Sequence, residues 1–443
     1  MRRIDRHGLP AKVLENPLDH RRFLDAGLVV SCAYVDLRRD HVFGHNFLGL
    51  NVQCRHTPVR SFDDNRIISV PVGMQARSSV IAFEVRCTSM SASKFSLKGD
   101  PMTVDILQDA KQIVRDFYAV FDGADSASLE SVLSAHTAEQ FLWRGMHPFY
   151  EQSGAADVAR VFWGPLRNSF TNLQRRQDIF MAGQNNVDDQ NSVWVASMGH
   201  FIGLFDKDWI GIPATGKIAY LRYAEFSRVE DGVIQESALF CDVIGVMQQA
   251  GHDPLPPQTG ASFMYPGPMT HDGLLLDPQD TVESEKTMSI VSSMIDDLSA
   301  LNQGDDDRCP PELLARTWHD DMLWYGPAGI GATFTIPRYQ QQHQYPFRTQ
   351  LKDKVFNGHI ARFAEGSYAG FFGWANLTNT PTGGFLGLPG SNVRADMRVV
   401  DIYRRDGDKL AENWVFIDLL HYLSMQGLDV LGRLRQLRGA ASL

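Results

Sequence analysis

The chain contains an internal repeat, and no other feature of its sequence limits the possible folds as strongly. Identical residues recur at a constant spacing, first of 181 positions and then of 176. Two constant spacings separated by one five-residue deletion indicate a duplicated structural unit. The pairs spaced by 181 are Trp143/Trp324, Gly145/Gly326, Pro165/Pro346 and Arg167/Arg348; those spaced by 176 are Gly211/Gly387, Pro213/Pro389, Arg222/Arg398, Arg228/Arg404, Glu236/Glu412, Asp242/Asp418 and Gly251/Gly427.

Each copy begins with helical periodicity and ends with alternating, strand-like segments, so the sequence predicts two α+β units. Short turns such as Glu230-Asp231-Gly232 separate the last two strands of each copy, which predicts hairpins. The predicted helices are 106–121, 128–136 and 157–170 in the first copy and 283–301, 312–318 and 338–351 in the second; the predicted strands are 178–182, 193–204, 218–229 and 233–246, then 357–365, 368–377, 393–404 and 409–420.

The segments outside the two copies differ from them in composition. Residues 1–101 carry 15 basic and 10 acidic residues, whereas the whole chain has a net charge of −10. Their apolar residues follow neither helical nor strand spacing, so we expect an irregular or disordered extension. One hypothesis is that Met102 is the true translation start; the alternative is a genuine basic extension. The expected units are 103–252 and 281–435, joined by a Pro- and Gly-rich linker at 253–280.

The overall composition excludes several classes of protein. A net charge of −10 disfavours binding to nucleic acid or an anionic membrane, and no apolar run is long enough to span a bilayer. The five cysteines are scattered without a CxxC pair, which favours a reducing cytoplasm over a disulfide framework. No spacing of His, Cys, Asp or Glu indicates a metal site.

Three motifs resemble those of the SnoaL-like polyketide cyclases. Gly211–Lys217 (GIPATGK) resembles a turn that precedes the last hairpin of that family. The ending of the second copy, Leu410–Gly427, resembles the family's I-x-E-x-W…D…Q-L-G tail. Trp324–Gly329 (WYGPAG) resembles the segment before its third helix. The resemblance covers nearly everything after Met102, although the first copy lacks a Trp after Glu236 and the second lacks the complete turn motif.

The resemblance implies a particular fold and chemistry for each copy. The fold is that of nuclear transport factor 2: a curved antiparallel sheet wraps round helices and leaves an apolar pocket. The implied activity is acid–base chemistry on carbon, such as an aldol ring closure, without metal or organic cofactor. Because single-domain relatives usually form homodimers, we expect the two copies to pair within one chain, with further self-association left open. The expected ligand is a small hydrophobic molecule.

Four carboxylates of the last strands are the candidate acids and bases. Residues two apart share a strand face, so Glu236 and Asp242 would share one with Phe240, and Glu412 and Asp418 one with Phe416. Six residues of strand span about 20 Å, so only one acid of each pair can serve a small substrate. We expect Glu236 to pair across the hairpin near residues 225–226, within loose reach of Arg222.

An ion pair would lower the pKa of a carboxylate and weaken it as a base, which favours Asp242 and Asp418 slightly over Glu236 and Glu412. The alternative is that all four are structural, because an Asp that ends a strand often caps the next helix. His147 and His343 are the candidate imidazoles. The candidate substrate-binding residues, several of which core packing would equally explain, are Trp143, Trp324, Tyr325, Trp414, Phe240, Phe416, Arg222 and Arg398.

Two functions are compatible with these residues. The first is a cofactor-free enzyme of the cyclase, isomerase or dehydratase type that acts on a hydrophobic carbonyl compound. The second is a ligand-binding or scaffolding protein without catalytic activity, since a fold does not determine a function. A carboxylate with a raised pKa inside an apolar cavity would distinguish the first from the second.

Overall fold

The computed structural model describes residues 68–76, 79–87, 101–303 and 309–441. Contacts divide the chain into two compact units, Met1–Ser96 and Leu97–Leu443. In the first unit, strands β1 (Ile68–Ala76) and β2 (Ser79–Cys87) form an antiparallel hairpin, within a stretch for which the sequence predicts no regular structure. The remainder of residues 1–100 lies outside the described residues, and the start at Met102 stays a prediction.

The second unit contains two runs of elements in the same order. The elements of the first run are α1 (Pro101–Phe121), α2 (Leu129–His136), β3 (Thr137–Gly145), β4 (Tyr150–Ser153), α3 (segments Ala155–Val158, Ala159–Trp163 and Gly164–Ser169), β5 (Phe170–Gln184), β6 (Val193–Phe205), β7 (Ile218–Glu230), β8 (Val233–Cys241) and α4 (Val243–Gln249).

The second run repeats this order and adds a terminal helix for which the sequence analysis has no prediction. Its elements are α5 (Thr281–Gln303), α6 (Pro311–Leu314), β9 (Trp318–Tyr325), β10 (Ala332–Phe334), α7 (segments Ile336–Tyr339, Gln340–Gln344 and Tyr345–Gln350), β11 (Leu351–Phe356), β12 (Ala361–Glu365), β13 (Tyr368–Pro381), β14 (Ala395–Asp406), β15 (Lys409–Ile417), α8 (Leu419–Met425) and α9 (Val430–Ala441).

Each run forms one sheet, and the two sheets have equivalent strand orders. The first is β4-β3-β8-β7-β6-β5, and the second is β10-β9-β15-β14-β13-β11 with β12 added on β13. The pairs β3–β8 and β9–β15 are parallel, and the remaining pairs are antiparallel. The α+β class is therefore correct. The proposed limits 103–252 and 281–435 of two independent domains stay a prediction.

The last strand of each sheet ends earlier than its apolar sequence suggests. The predictions of strands to residues 246 and 420 are wrong, because β8 ends at Cys241 and β15 at Ile417. The next residue, Asp242 or Asp418, caps a short helix by accepting a hydrogen bond from the backbone N–H three positions on. This local hydrogen bond competes with continuation of the strand.

The register of the last hairpin also differs from the prediction. Glu236 lies opposite Arg228, not opposite residues 225–226, because the connecting turn consists of Asp231 and Gly232 alone and a bulge follows Arg228. Both turn residues have positive φ, 52° and 77°, which is the conformation of a tight two-residue hairpin turn.

Each sheet is apolar on both faces, and this arrangement creates two kinds of core. Along β8, Leu239 and Cys241 face the helices of their own half, whereas Ala238 and Phe240 face the second sheet. The cluster between the sheets contains Phe226 and Phe240 from the first and Phe372 from the second, with ring centroids 5.2 and 6.5 Å from that of Phe372. The outer faces of the two sheets therefore pack against each other.

The segment between the two runs contains no helix or longer strand, as its Pro and Gly content predicts, but it packs along the sheets. Pro266 accepts a hydrogen bond from the indole Nε1 of Trp414 at 3.1 Å. Leu274 forms an isolated bridge with Phe180 of the first sheet. The segment therefore contacts both halves.

A buried ion pair joins helix α1 of the first half to strand β12 of the second. The Lys111 Nζ lies 2.6 Å from Glu365 Oε1 and donates to the Leu275 carbonyl at 2.7 Å, and Glu365 Oε2 accepts from the Ala182 N–H. Lys111 is 1% and Glu365 3% exposed, so neither charge has access to water. Removing one partner leaves a buried charge without compensation.

We expect Lys111→Met to lower the free energy of unfolding by about 3 kcal/mol at pH 8, because the buried Glu365 carboxylate loses its counterion. Burial already raises the pKa of Glu365, so its protonation should reduce the loss at pH 5. Urea denaturation measures both values. Lys286→Met is the matched control, since Lys286 pairs with the exposed Asp408 and should cost less than about 1 kcal/mol. Equal losses in the two variants would contradict a special role for the buried pair.

Candidate functional site

The two predicted glutamates form ion pairs on the outer faces of the sheets. Glu236 accepts from Arg144 at 2.5 Å and from Arg228 at 2.6 Å, instead of approaching Arg222. Glu412 accepts from Arg404, again the residue opposite it in the hairpin, and from the Met269 N–H at 3.2 Å. Both carboxylates are saturated with donors, and this geometry favours an anchoring role.

The two predicted aspartates make equivalent contacts between the halves. Each accepts a hydrogen bond from a backbone N–H of the opposite half. Asp242 accepts from Gly245 N at 3.2 Å in its own helix and from Ala328 N at 2.9 Å in the second half. Asp418 accepts from His421 N at 3.1 Å and from His147 N at 2.9 Å in the first half. His147 and Ala328 are themselves equivalent, being 181 positions apart. The contact is therefore related by an approximate two-fold axis.

Burial raises the pKa of both aspartates, in Asp418 to about 6, although the backbone hydrogen bonds and the neighbouring arginines act in the opposite direction. Asp418 has no exposed surface, and its oxygens are occupied by amide donors. A substrate cannot reach this carboxylate without displacing the interface. The geometry thus favours the capping role that the sequence analysis left open as an alternative.

The predicted arginines also lie between the halves. Arg222 donates to the Tyr325 carbonyl at 3.0 Å, and its guanidinium lies 4.0 Å from the Phe416 ring centroid. Arg398 lies 4.0 Å from the ring centroid of Trp374 and 3.6 Å from Asp418. Stacking on aromatic faces stabilises a cation that is withdrawn from water.

The remaining predicted residues separate into two groups. Phe240, Phe416, Trp414 and Tyr325 belong to the cluster between the sheets, and His147 lies beside them with its Nδ1 2.7 Å from the Tyr150 hydroxyl. Trp143, Trp324 and His343 face the interiors of the halves. The predicted acids and the predicted interior residues are therefore on opposite faces of the sheets.

Aromatic side chains fill the interior of the first half. Phe162 packs against Trp143, Phe149 and Trp163 with ring centroids 4.9 to 5.3 Å apart. Trp209 adds a further contact to the same cluster. All five rings are buried.

The acid of that interior, Glu225, is neutralised. It lies 3.0 Å from Arg175 and accepts a hydrogen bond from the Tyr118 hydroxyl at 2.6 Å. The guanidinium of Arg175 also contacts Asp122 and stacks 3.7 Å from the Tyr118 ring centroid. Glu225 therefore has a cation partner within the interior of its own half.

The second half replaces key aromatic residues of this interior with polar ones. Helices α3 and α7 both contain a π-helical segment, at Ala159–Trp163 and Gln340–Gln344, and these segments are 181 positions apart. Phe162 and Trp163 of the first thus correspond to His343 and Gln344 of the second. Such π segments are frequent at functional sites.

Asp401 is the interior acid of the second half, at the position equivalent to Glu225, 176 residues earlier. It lies on β14 opposite Phe371, is half-buried, and accepts from Asn413 Nδ2 at 3.2 Å. Within the part of the chain that the structure describes, no cation forms an ion pair with it. Burial raises the pKa of Asp401 to about 6, against the opposing effect of hydrogen bonding from Asn413 and Tyr403.

Aromatic and neutral polar groups surround this carboxylate. The Tyr403 ring packs 5.7 Å from Phe371 and 5.8 Å from Trp318. Burial, and next the charge of Asp401, raise the pKa of Tyr403, so its hydroxyl keeps its proton. Tyr339 accepts from Gln344 at 2.6 Å, and burial raises its pKa as well.

Two histidines of this interior are held in the neutral form. His343 stacks 4.1 Å from Trp324, and its Nδ1 is buried without a hydrogen-bond partner in the described residues. His359 stacks 4.0 Å from Phe371. Burial lowers the pKa of each to about 3, with nearby arginines adding to the effect. Neutral imidazoles can donate to a developing oxyanion without competing with Asp401 for its proton.

Asp401, Asn413 and Tyr403 have no place among the residues predicted from the sequence. Two features of the sequence indicate Asp401. It interrupts the apolar run Val399–Ile402, and the spacing of 176 residues pairs it with another acid, Glu225. Asp401 lies on β14, one strand before the last strand, whose carboxylates are the predicted candidates.

Comparison with models of protein families finds no match, and comparison with curated proteins finds none either. Among solved structures, the chain is similar to a protein described as a SnoaL-like polyketide cyclase from Jannaschia sp. CCS1, with 18% identity over 36% of this chain and 99% of that one, and a TM-score of 0.28. It is similar to an NTF2-like protein from Burkholderia thailandensis E264, with 24% identity over 32% and 97% of the two chains and a TM-score of 0.25. At these TM-scores the similarity to the two structures does not establish a function for this chain.

The described residues contain no group of three or more His, Cys, Asp or Glu that could hold a metal ion. None of their helices is both long and apolar enough to cross a membrane.

We expect Asp401→Asn to increase stability above pH 6. An aspartate that titrates near 6 when folded and near 3.9 when unfolded binds more protons in the folded state between those values, so stability falls as pH rises through this window. The amide has no such dependence, and its gain at pH 8 should be on the order of 1 to 3 kcal/mol. Thermal denaturation from pH 4 to 8 measures the difference from the native protein.

Asp253→Asn is the control, because it makes the same substitution at an exposed aspartate outside both interiors. The contribution of Asp418, which titrates in the same window, cancels in the difference. A D401N variant with the same pH profile as the native protein would show that Asp401 titrates normally.

Proposed function

We propose that this protein is a SnoaL-like, polyketide cyclase-type enzyme whose chemistry takes place in the interior of the second half, with Asp401 as general base. The observation that carries the proposal is a half-buried carboxylate with a raised pKa, without a cation partner, in an aromatic interior. The repeated motifs, which resemble that family, are its second support. The reaction class is proton transfer at a carbon next to a carbonyl, as in aldol cyclisation, isomerisation or dehydration.

The neighbouring groups suit this chemistry. Removing a proton from carbon needs a base near neutral pKa and a donor for the enolate oxygen. Asn413 holds the Asp401 carboxylate and is itself fixed by donating to the Ile402 carbonyl at 3.1 Å. The neutral imidazole of His343, whose Nδ1 has no hydrogen-bond partner in the described residues, is the proposed donor to the oxygen, and Tyr403 donates to the Asp401 carboxylate. Phe371 and Trp318 are proposed to bind the hydrophobic body of the substrate.

The first half is proposed to be structural. Its interior acid forms an ion pair with Arg175, and its interior is filled by Phe162 and neighbouring rings. Its outer sheet face instead packs on the second half, in the place that a partner subunit would take in a homodimer. The pair of halves would thus form an intramolecular pseudo-dimer with one active centre.

Asp401→Asn should abolish catalysed enolisation, with a loss of about 100-fold or more, because the amide cannot accept the proton. The probe is 2-tetralone, a hydrophobic ketone, and the measurement is exchange of its α-hydrogens for deuterium by NMR. In the native protein the catalysed rate should rise with pH through an apparent pKa near 6, since the carboxylate is the active form.

Glu225→Gln is the matched control, because it changes the equivalent acid of the first half. We expect its exchange rate to stay within a few-fold of the native rate. Catalysis that survives in D401N and disappears in E225Q would assign the activity to the first half. Catalysis that needs neither residue would contradict an acid–base role for the interior acids.

A further inference from the structure

A groove of about 470 Å³ lies on the outer face of the first sheet, away from the interior of the second half. Strands β5, β6 and β7 form its floor, and residues 264–267 of the segment between the halves form one wall. That wall is held close because Gly267 packs against Asp178: a Cβ on Gly267 would lie 3.0 Å from the Asp178 Cβ. The groove is therefore part of the packed structure.

The floor and wall of the groove are apolar and accessible to solvent. Leu204 is 42%, Ile218 56% and Met264 57% exposed, and Ile202 and Tyr220 lie between them. Large apolar side chains that are exposed together mark a binding surface more often than isolated ones do. The mixture of aliphatic and aromatic groups fits an extended hydrocarbon chain or ring.

One end of the groove carries charged side chains, Arg176 and Asp178. Arg176 lines it, is exposed, and forms no ion pair within the described range of residues. His200 lies beside it, buried apart from its surface on the groove, and its Nδ1 lies 3.3 Å from Asp178 Oδ2. Because Asp178 already contacts the imidazole, the guanidinium of Arg176 is the group left to bind a ligand.

We propose that this groove binds an amphipathic carboxylate, with the carboxyl group on Arg176 and the hydrophobic part on Ile202, Ile218, Tyr220 and Met264. The site is separate from the interior that contains Asp401 and does not depend on the function proposed for it. A neutral molecule of the same length would keep the apolar contacts but lose the charged hydrogen bond.

The test is titration of the full chain with sodium decanoate, below its micelle concentration, by isothermal calorimetry. We expect saturable 1:1 binding, and binding of 1-decanol that is weaker by a few-fold, since an ion pair with an exposed arginine contributes only modestly to affinity. Arg176→Gln should weaken decanoate binding by a similar factor. Ile218→Trp should weaken both ligands by filling the groove.

Two controls locate the bound molecule. Arg338→Gln changes an exposed arginine elsewhere on the surface and should bind decanoate as the native protein does. Asp401→Asn should also bind it normally; a changed affinity in D401N, in particular tighter binding after loss of the like-charged carboxylate, would place the ligand in the second interior and overturn the proposal. Absence of saturable binding, equal binding of decanol, or unchanged binding by R176Q would overturn it too.

Discussion

The packing of one sheet against the other is the interaction on which the rest of this structure depends. Two sheets that are apolar on both faces cannot leave their outer faces in water, and covering each with the other removes the large rings of Phe226, Phe240 and Phe372 from solvent. Asp242 and Asp418 each accept a hydrogen bond from a backbone amide of the opposite half. These bonds fix the relative orientation of the two sheets, because a buried carboxylate requires donors at fixed positions.

This packing determines which side chains remain available for chemistry. The glutamates and aspartates of the last strands, together with Arg222 and Arg398, are used between the halves or in pairs along the hairpins. The inner faces carry the two acids that are left, Glu225 and Asp401. There the two halves differ: one buries Glu225 with a cation and closes round it with aromatic rings, whereas the other leaves Asp401 uncompensated beside neutral polar groups.

That difference has an energetic meaning. A buried acid without a counterion lowers stability at neutral pH, where its carboxyl group is ionised away from water. The interior of the first half is filled by packed apolar side chains. The second half has His343, Gln344 and Tyr339 in its interior, at positions where apolar rings would pack better.

The sequence by itself determined the repeated residue spacing, the α+β class, the longer helices, the last strands of each copy and the turn at Asp231-Gly232, because these depend on local periodicity and backbone preference. It did not predict β3, β4, β9, β10 or β11, which are short or begin directly at the end of a helix. It also contained the spacing that pairs Asp401 with Glu225. It did not determine which face of each sheet would be covered by the other sheet. Alternation along a strand distinguishes two faces, but when both are apolar only the tertiary packing decides which one lines a pocket. For that reason Glu236 and Asp242 were natural candidates in the sequence, and only the folded chain shows that they lie between the halves while Asp401 lies in the interior.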